Sequence, residues 1–403
     1  MSDAHSEPSQ KKKWVKRILL ILLILLLVIT LGIGFFIWRA GHTWDSKTEK
    51  FDSITKVDED LSKIKEQLGE AKKLNVTELK APTVTNSDTG KNGTNANGAN
   101  GSAEGGSDAA AALAANASEH DKHGDGILDA GYSYDVVKGP GKNILLLGSD
   151  TRSGSEAAQV SGSRADSIML AHIPANGKGV YLVSIMRDTW VNIPGYGAAK
   201  INAALNYGGI SLQVATVENL LGIKIDHVAE IEFEGFKALV NSVNGVDVQV
   251  PFDFDINAWS FKQGMQHMDG GAALAFVRAR YPFADGDYQR VRNQRAFLRG
   301  LYSTMKAKGA LDNVGSFQSA VESIAGYMRV DSGLNAAQIA QIAAPVITSG
   351  DTTMRMTTLP NAGPGWSYDG QSIVIVNQAA NANLSYALQH DSVDQFMATY
   401  GQD

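Results

Sequence analysis

The sequence predicts an α/β domain, a three-layer α/β/α sandwich, carried outside the membrane on a single N-terminal transmembrane helix. Two patterns lead to this prediction. From about residue 136 onwards, short apolar runs rich in β-branched residues alternate with segments of helical periodicity, which is typical of a sheet covered by helices. Ahead of them, one long uncharged apolar run precedes a stretch that is too polar to bury a core.

The apolar run covers residues 18–38, and its 21 residues carry no charge. That length is enough to cross a bilayer core of about 30 Å as a helix, and it exceeds the apolar segment of a cleaved signal peptide. Five Lys or Arg residues lie just before it, so by the positive-inside rule residues 1–17 stay in the cytoplasm. The remaining chain is therefore expected to be extracellular, in a single-pass protein of the cell membrane. A buried core helix is the alternative, and the length and flanking charges of the run disfavour it.

Residues 39–135 are predicted to connect the membrane to the folded domain. Apolar residues recur every three or four positions between residues 45 and 75, which predicts a helical stalk. From residue 82 to about residue 118 the composition is Gly, Asn, Ala, Ser and Thr, which is typical of a flexible linker. The folded domain is then expected over residues 136–403. Because the chain has no cysteine, this exported domain must be held together by its core.

Within residues 136–403 the predicted elements follow one another closely. KNILLLG, SIMLAHI and VYLVSIM predict three strands, and the turn PANGKG joins the last two. A helix is predicted over residues 210–222, with Gly222 as its C-cap. HVAEIEF, EGFKALVNSVNG and VDVQVP then predict a strand, a helix and a strand. Residues 335–403 add a helix, the strand SIVIVN and a final helix.

Charged and amide side chains gather where the first three predicted strands begin or end. In open α/β sheets, the crevice beyond the strand ends is the usual ligand site. Any one of these residues has a structural explanation, since Asp and Arg often cap and pair at strand ends, but their repetition favours a binding site. They are Asp150 and Arg152, Arg164 and Asp166, Arg187 and Asp188, and Lys200 and Asn202.

The segment FVRARYPFADGDYQRVRNQR, residues 276–295, holds five arginines and no lysine in a chain of net charge -6. Arginine suits planar, bidentate recognition of oxyanions, a preference that an exposed salt-bridged helix does not need. Pro282 forbids the continuation of a short helix that ends near Arg278. Asp287 is predicted to be the N-cap of the next helix. The segment therefore brings two groups of arginines to one turn.

On this second helix, Arg290 and Gln294 are spaced i, i+4 and share one face. Arg292, Arg295 and Arg299 are interpreted as an ordinary solvated face. The sequence therefore assigns only part of the arginine segment to a binding site.

The carboxylates of Asp150 and Asp166 would be misplaced against an anion unless a hard divalent cation lay between them. Mg²⁺ is commonly bound by one or two carboxylates together with substrate phosphates. Arginines and a metal together suit a pyrophosphate and the charge on a departing phosphate. Other chemistries have less support, because the chain has no cysteine nucleophile and no G-x-S-x-G motif, and GPGKN lacks the P-loop spacing.

Residues 142–299 resemble the LytR-CpsA-Psr family of membrane-anchored bacterial proteins. The resemblance implies an α/β/α sandwich with a deep apolar cavity for a polyprenyl chain. It also implies transfer of a glycopolymer phosphate from an undecaprenyl pyrophosphate carrier to peptidoglycan. Six ordered blocks carry it: GSDTR, SRADSIMLAHI, LVSIMRDTWVNIPG, KINAALNYGG, EIEFEGFKALVNSVNGVDVQV and ALAFVRARYPFADGDYQRVRNQR.

By position in these blocks, Asp150 and Asp166 match the family's Mg²⁺ ligands, a site that would also suit Mn²⁺. The residues that match the pyrophosphate-contacting set are Arg164, Arg187, Lys200, Arg278, Arg280, Arg290 and Gln294. Those predicted to be catalytic are Asp166, Arg187, Arg278 and Arg280, and those predicted to support them are Arg152, Asp188, Asn202 and Asp287.

The resemblance implies a mechanism in which a peptidoglycan hydroxyl attacks the phosphorus nearer the glycopolymer and prenyl phosphate leaves. No residue is an evident general base: Asp166 and Asp188 are the candidates, and positioning with charge stabilisation is the alternative that needs no base. Hydrolysis by the same site and non-catalytic binding of prenyl-linked polymers are the alternatives. Transcriptional regulation ranks last, since residues 1–17 hold no DNA-binding fold and no nucleic acid partner is expected. The expected partners are the undecaprenyl-pyrophosphate-linked glycopolymer, peptidoglycan and the cytoplasmic membrane.

Overall fold

The computed structural model describes residues 48–51, 73–74, 133–149 and 165–401. The predicted transmembrane run at residues 18–38 lies outside these residues, as does most of the predicted stalk and linker. Asp150, Arg152 and Arg164 also lie outside them. Among the helices that are described, none is both long and apolar enough to cross a membrane.

A seven-stranded mixed sheet forms the centre of the fold, with strand order β1-β14-β9-β4-β5-β6-β15. Three neighbouring pairs are parallel, β1 with β14, β4 with β9 and β6 with β15, and the others are antiparallel. Its strands are β1 (Glu49–Phe51), β4 (Lys142–Ser149), β5 (Ala165–Ile173), β6 (Val180–Ile185), β9 (His227–Glu232), β14 (Arg329–Asp331) and β15 (Met354–Thr358).

The other described strands form five two-stranded pairs, namely β2 with β3, β7 with β8, β10 with β13, β11 with β12 and β16 with β17. Their bounds are β2 (Lys73–Leu74), β3 (Ser133–Tyr134), β7 (Trp190–Ile193), β8 (Gly197–Lys200), β10 (Val246–Val250), β11 (Phe254–Ile256), β12 (Trp259–Phe261), β13 (Gly264–Met268), β16 (Asn361–Trp366) and β17 (Ser372–Val376). The strands predicted from VDVQVP and SIVIVN are therefore confirmed as β10 and β17, but neither joins the central sheet.

Helices lie against both faces of the central sheet. They are α1 (Ala203–Leu221), α2 (Phe233–Ser242), α3 (Gly270–Arg278), α4 (Asp287–Ala307), α5 (Val314–Ile324), α6 (Ala336–Ser349), α7 (Gln378–Gln389) and α8 (Val393–Tyr400), and a 3₁₀ turn spans Ala325–Tyr327. On β4, Leu145 and Leu147 pack with α1, α7 and α8. Ile144 and Leu146 belong to clusters with α4 and α6. This alternation confirms the α/β class, because neighbouring residues of a strand point to opposite faces.

Two predicted helix ends are confirmed. Gly222 ends α1 in the left-handed conformation, at φ 64°, which glycine adopts without steric cost. The Asp269 side chain accepts a hydrogen bond from the Ala272 N–H at 2.8 Å and caps α3, which ends at Arg278. The end of α3 at Arg278 places the first arginine of the segment in the last turn of this helix.

The helix predicted between residues 45 and 75 is wrong at the described residues Glu49–Phe51. They form strand β1, which pairs in parallel with β14 at the edge of the central sheet. Phe51 packs against the main core cluster, so pairing satisfies the backbone while the side chain gains apolar contact. The apolar spacing alone does not report that a sheet edge is available.

Asp226 joins the start of β4 to the loop before β9. Its carboxylate accepts a hydrogen bond from the Asn143 N–H at 2.9 Å and contacts the Lys138 and Lys142 ammonium groups. Burial by itself would raise the pKa of Asp226, but the Lys138 and Asn143 hydrogen bonds outweigh it and lower the pKa below its ordinary value. A carboxylate with a lowered pKa stabilises the fold above about pH 4, and this contribution is lost as the pH falls further.

Replacing Asp226 by Asn is expected to lower the free energy of unfolding by about 1–3 kcal/mol at pH 7. The difference from the wild type should shrink towards pH 3, since the wild-type carboxylate then takes up a proton. Urea unfolding followed at both pH values measures it, with the exposed Asp255→Asn as a control. An equal difference at pH 7 and pH 3 would show that the charge of Asp226 plays no part.

Candidate functional site

Arg187 and Asp188 directly follow Met186 at the end of β6, and Arg187 contacts three carboxylates. Its Nη1 donates to Asp166 Oδ1 at 2.6 Å. Its Nε lies 3.7 Å from Asp188 Oδ2 and 3.6 Å from Asp287 Oδ1. Burial by itself would lower the pKa of Arg187, but the hydrogen bond to Asp166 and the charges of the three carboxylates raise it. The guanidinium therefore ties together β5, the end of β6 and the start of α4.

Asp166 is the second residue of β5 and stands at an irregularity of the sheet. Ser167 pairs with Gly148 of β4 and Ala165 pairs with Ser149, so the intervening Asp166 has no partner in this ladder. Such a bulge re-aims a side chain and is common beside active sites. The sequence placed Asp166 just ahead of the strand, whereas it lies within it.

Asp287 is the first residue of α4, not its N-cap as predicted. The N-cap is Gly286 at φ 48°, which has no side chain to cap the helix. Asp287 Oδ1 instead lies 2.8 Å from Arg290 Nη2 and 3.5 Å from Arg280 Nε. The glycine turns the chain so that the Asp287 carboxylate faces the arginines. Asp287 still lies in the first turn of the helix, where negative charge is favourable.

The Asp287–Arg290 pair is buried, and Arg290 is only 3% exposed. Burial raises the pKa of Asp287, and Asp188 and Asp166 add to this effect, against the lowering by Arg290 and Arg187. Burial likewise lowers the pKa of Arg290, against the raising effect of Asp287. Each member of the pair therefore needs the other to stay charged.

An apolar cavity of about 280 Å³ opens beside this cluster. Its apolar wall comes from the sheet and from α2, α3 and α4, and includes Leu146, Met169, Ile231, Phe236, Phe297 and Leu301. Four polar residues share the lining: Asp166, Ser167, Arg278 and Gln294. The cavity thus joins an apolar interior to charged groups.

Arg278 and Gln294 are held by unlike contacts. The Arg278 guanidinium lies over the Phe233 ring, 4.1 Å from its centroid, and forms no ion pair with a described residue. Gln294 accepts a hydrogen bond from Ser167 Oγ and donates to the Val277 carbonyl, both at 3.4 Å. Arg278 is therefore a free positive charge on an aromatic support.

A second, polar pocket of about 300 Å³ lies against Arg187. Lys200 Nζ is 3.3 Å from Asp188 Oδ1 inside it. Arg187 lines the polar pocket and Asp166 lines the apolar cavity, so the Asp166–Arg187 ion pair lies between the two. The residues that line the polar pocket are Arg187, Asp188, Ala199, Lys200, Asn202, Ala203, Tyr207, Arg280 and Gln371.

The structure brings most of the predicted site residues together. A continuous network of ion pairs joins Asp166, Arg187, Asp188, Lys200, Arg280, Asp287 and Arg290. Arg278 and Gln294 lie at the apolar cavity, and Asn202 lines the polar pocket. Because Asp150, Arg152 and Arg164 lie outside the described residues, the metal pair Asp150–Asp166 stays a prediction. Within the described part of the chain, no group of three or more His, Asp or Glu side chains is arranged to hold a metal ion.

One interpretation of the arginine segment is wrong. Arg295, expected on the surface, is 3% exposed and donates from Nη1 to Thr358 Oγ1 of β15. Arg292 is exposed as expected and pairs with Asp285. The sequence did not predict that β15, more than fifty residues later, would cover this side of α4.

Four residues that line the polar pocket were not predicted from the sequence: Ala199, Ala203, Tyr207 and Gln371. The β16–β17 hairpin that carries Gln371 is attached through a hydrogen bond from the Val374 N–H to the Asp188 carbonyl, at 2.9 Å. Main-chain contacts of this kind leave no pattern of residue types, so no sequence signal linked Gln371 to the site.

The fold and the site define an α/β protein with an apolar cavity that opens onto paired arginines and carboxylates. A model of the LytR_cpsA_psr family matches residues 104–394, which is more than half of the chain. The chain therefore belongs to the LytR-CpsA-Psr family, as the resemblance of its motifs predicted.

Two curated relatives are similar to part of this chain. The probable cell wall biosynthesis protein LcpB of Corynebacterium glutamicum is 36% identical over 227 residues, 54% of this chain and 54% of its own length. The polyisoprenyl-teichoic acid–peptidoglycan teichoic acid transferase TagU of Enterococcus faecalis is 36% identical over 190 residues, 47% of this chain and 61% of its own length. The chain thus spans between about half and three fifths of the length of these relatives.

Two crystal structures show the same fold. Protein gbs0355 of Streptococcus agalactiae aligns with a TM-score of 0.53 at 24% identity, over 62% of this chain and 88% of its own. B. subtilis TagV aligns with a TM-score of 0.51 at 26% identity, over 63% of this chain and 97% of its own.

The sequence DGD contains two acids with different ion pairs. Asp287 belongs to a buried pair with Arg290, and Asp285 to an exposed pair with Arg292. Asp287→Ala is expected to cost about 3–5 kcal/mol in the free energy of unfolding, because Arg290 is left buried and uncompensated. Asp285→Ala should cost less than about 1 kcal/mol, because Asp285 and Arg292 are both about half exposed. Urea denaturation of the two variants measures the difference, and equal costs would contradict a structural role for the buried pair.

Proposed function

We propose that the protein is a membrane-anchored transferase of cell-wall glycopolymers. In this proposal it moves a glycopolymer, with its phosphate, from an undecaprenyl pyrophosphate carrier to a hydroxyl of peptidoglycan and releases prenyl phosphate. One observation carries the proposal, the apolar cavity that opens beside Arg278 and the Arg187 cluster. A prenyl pyrophosphate has the same division into an apolar chain and a charged head. The relative TagU is named as a transferase of polyisoprenyl-linked teichoic acid to peptidoglycan, which supports the same proposal.

In the proposed complex the prenyl chain fills the apolar cavity and the pyrophosphate meets the guanidinium groups of Arg187, Arg278 and Arg280. Arg278 is suited to this role, because no described carboxylate competes for it. Arg187 is held by carboxylates on three elements and is therefore already oriented before substrate binds. Preoriented positive groups stabilise the charge that develops on the departing prenyl phosphate.

A divalent cation fits this site as far as the described residues define it. Asp166 Oδ1 accepts the Arg187 hydrogen bond, and its Oδ2 accepts none from a described residue, so one oxygen is available to a metal. We propose that Asp166 and Asp150 hold Mg²⁺ or Mn²⁺, since carboxylates and phosphates together are the usual ligands of Mg²⁺. When bound, the cation would supply further positive charge to the pyrophosphate oxygens.

The proposed location is the outer face of the cytoplasmic membrane. Residues 18–38 would anchor the chain there, with residues 1–17 in the cytoplasm and the transferase domain outside. The membrane would also hold the prenyl-linked donor, so the anchor and the substrate share one surface.

The full chain in detergent, given a synthetic prenyl-pyrophosphate donor with a radiolabelled glycopolymer and purified peptidoglycan, is expected to label the peptidoglycan. Arg278→Ala and Asp166→Ala should each lower the rate by about 100-fold or more, the usual cost of removing a group that stabilises transition-state charge. Arg292→Ala, which removes a surface arginine of the same segment, is the matched control.

The products separate the proposal from its competitors. Label released into solution as free glycopolymer phosphate, with none on the peptidoglycan, would indicate hydrolysis. Donor binding without any product would indicate a non-catalytic binder. Wild-type transfer by correctly folded Arg278→Ala and Asp166→Ala variants would remove this site from the reaction, and EDTA followed by Mg²⁺ tests the metal separately.

The apolar cavity predicts a dependence on donor chain length. Leu301→Trp, which fills part of the cavity, is expected to lower kcat/KM for a long prenyl donor by about tenfold or more, equivalent to about 1.4 kcal/mol. A donor with a single isoprene unit should be affected much less, because it leaves most of the cavity empty. Ser303→Trp, on the exposed side of the same helix, is the control, and an equal loss with both donors would argue against the cavity as the prenyl site.

A further inference from the structure

The polar pocket is too large to serve only a water molecule. Its volume is about 300 Å³, whereas the share of one water in the liquid is about 30 Å³. It lies on the other side of the Asp166–Arg187 pair from the apolar cavity. A second substrate bound there would contact the guanidinium groups of Arg187 and Arg280, which line this pocket.

Asn202 contributes an amide side chain to the lining of this pocket. It is only 7% exposed, lines the pocket, and stands at the N-cap position of α1 without capping the helix. Its backbone N–H is held by the Arg187 carbonyl at 3.2 Å, while its side-chain amide makes no hydrogen bond to any described residue. The amide therefore offers donors and an acceptor to a molecule in the pocket.

The lining of the pocket combines charged and neutral side chains. Each of its cations already has a carboxylate partner: Lys200 lies 3.3 Å from Asp188, Arg187 contacts three carboxylates, and Arg280 lies 3.5 Å from Asp287. Asn202, Tyr207 and Gln371 add amide and ring contacts. Paired charges together with amides and a ring suit a molecule that is rich in hydroxyl groups.

Tyr207 gives the pocket an aromatic surface that is held in place. It is 43% exposed and stacks on Tyr196 with 4.9 Å between ring centroids and 23° between planes. The Tyr196 hydroxyl also donates to the Tyr207 carbonyl at 3.0 Å. Gly208 and Gly209 have non-helical backbone angles, and Gly209 has φ 66°. They produce a kink in α1 just after Tyr207, which separates the first turn from the rest of the helix.

An exposed, rigid ring beside hydrogen-bonding groups matches the surface of a sugar, which has an apolar C–H face and a rim of hydroxyl groups. Rigid tyrosines provide contact area of this mixed kind at low entropic cost. Two more exposed aromatic residues adjoin pocket residues in the chain, Tyr281 next to Arg280 and Tyr368 near Gln371.

We infer that the pocket of Asn202, Tyr207 and Gln371 binds the saccharide acceptor, and that Asp188 accepts the proton of its attacking hydroxyl. This inference rests on the proposed function. The hydroxyl oxygen forms a bond to the phosphorus nearer the glycopolymer as its proton passes to the Asp188 carboxylate. The bond from that phosphorus to the bridging oxygen breaks, and its electron pair leaves with prenyl phosphate. Asp188 faces this pocket, whereas Asp166 lines the apolar cavity, and so the geometry favours Asp188 as the base.

The test compares acceptor and donor kinetics of the full chain. Tyr207→Ala and Gln371→Ala should raise KM for peptidoglycan by about tenfold or more, in line with the loss of a stacking or hydrogen-bonding contact. Binding of a synthetic prenyl pyrophosphate that carries no glycopolymer should stay unchanged. Tyr207→Phe should keep the wild-type KM, because the ring is retained. Tyr400→Ala, another half-exposed tyrosine outside the pocket, is the control.

Asp188→Asn should lower kcat by about 100-fold or more, the usual range for a general base, and should change KM for peptidoglycan by less than about threefold. Wild-type acceptor KM in both Tyr207→Ala and Gln371→Ala would overturn the acceptor site, and so would an equal loss of donor binding. Wild-type kcat in Asp188→Asn would overturn its role as base. If the wild type transfers nothing to peptidoglycan, the proposed function itself fails. The wild-type measurement alone shows this, so the two failures can be told apart.

Discussion

The site depends on one cation, the Arg187 guanidinium, and the three carboxylates around it. Asp166, Asp188 and Asp287 come from β5, from the end of β6 and from the start of α4. Three acids brought this close would repel one another without a positive charge among them. Because each acid belongs to a different element, the charge balance at Arg187 also fixes how these elements meet. The same contacts therefore position the site and hold the fold around it.

The two cavities differ in polarity, and the Asp166–Arg187 ion pair lies at the boundary between them. On one side the walls are apolar side chains of the sheet, α2, α3 and α4, and on the other they are amides, an aromatic ring and paired charges. Water-poor surroundings strengthen the attraction between a guanidinium and a phosphate, since the effective dielectric constant falls. A polar second pocket gives a hydroxyl-bearing molecule access to the same charges. The proposed transfer from a lipid donor to a sugar acceptor would use both sides of this boundary.

Departures from regular geometry gather at the site. Asp166 stands at the irregular register between β4 and β5, Gly286 turns the chain at φ 48° ahead of Asp287, and Gly209 breaks α1 at φ 66° behind Tyr207. Each departure lies beside a side chain of the candidate site. Local exceptions of this kind are expected where function sets the geometry.

The sequence by itself determined the α/β class, the ends of α1 and α3, and most of the charged residues of the site, because periodicity, capping and residue type are local properties. The tertiary structure decided what depends on distant partners. The strand β1 came from an available sheet edge at β14, the burial of Arg295 from Thr358 of β15, and the place of Gln371 from a main-chain bond to Asp188. Asp287 was predicted to cap α4, but in the structure it pairs with arginines, because three guanidinium groups surround it. Contacts between residues far apart in the chain leave no periodic pattern, and so only the folded chain shows them.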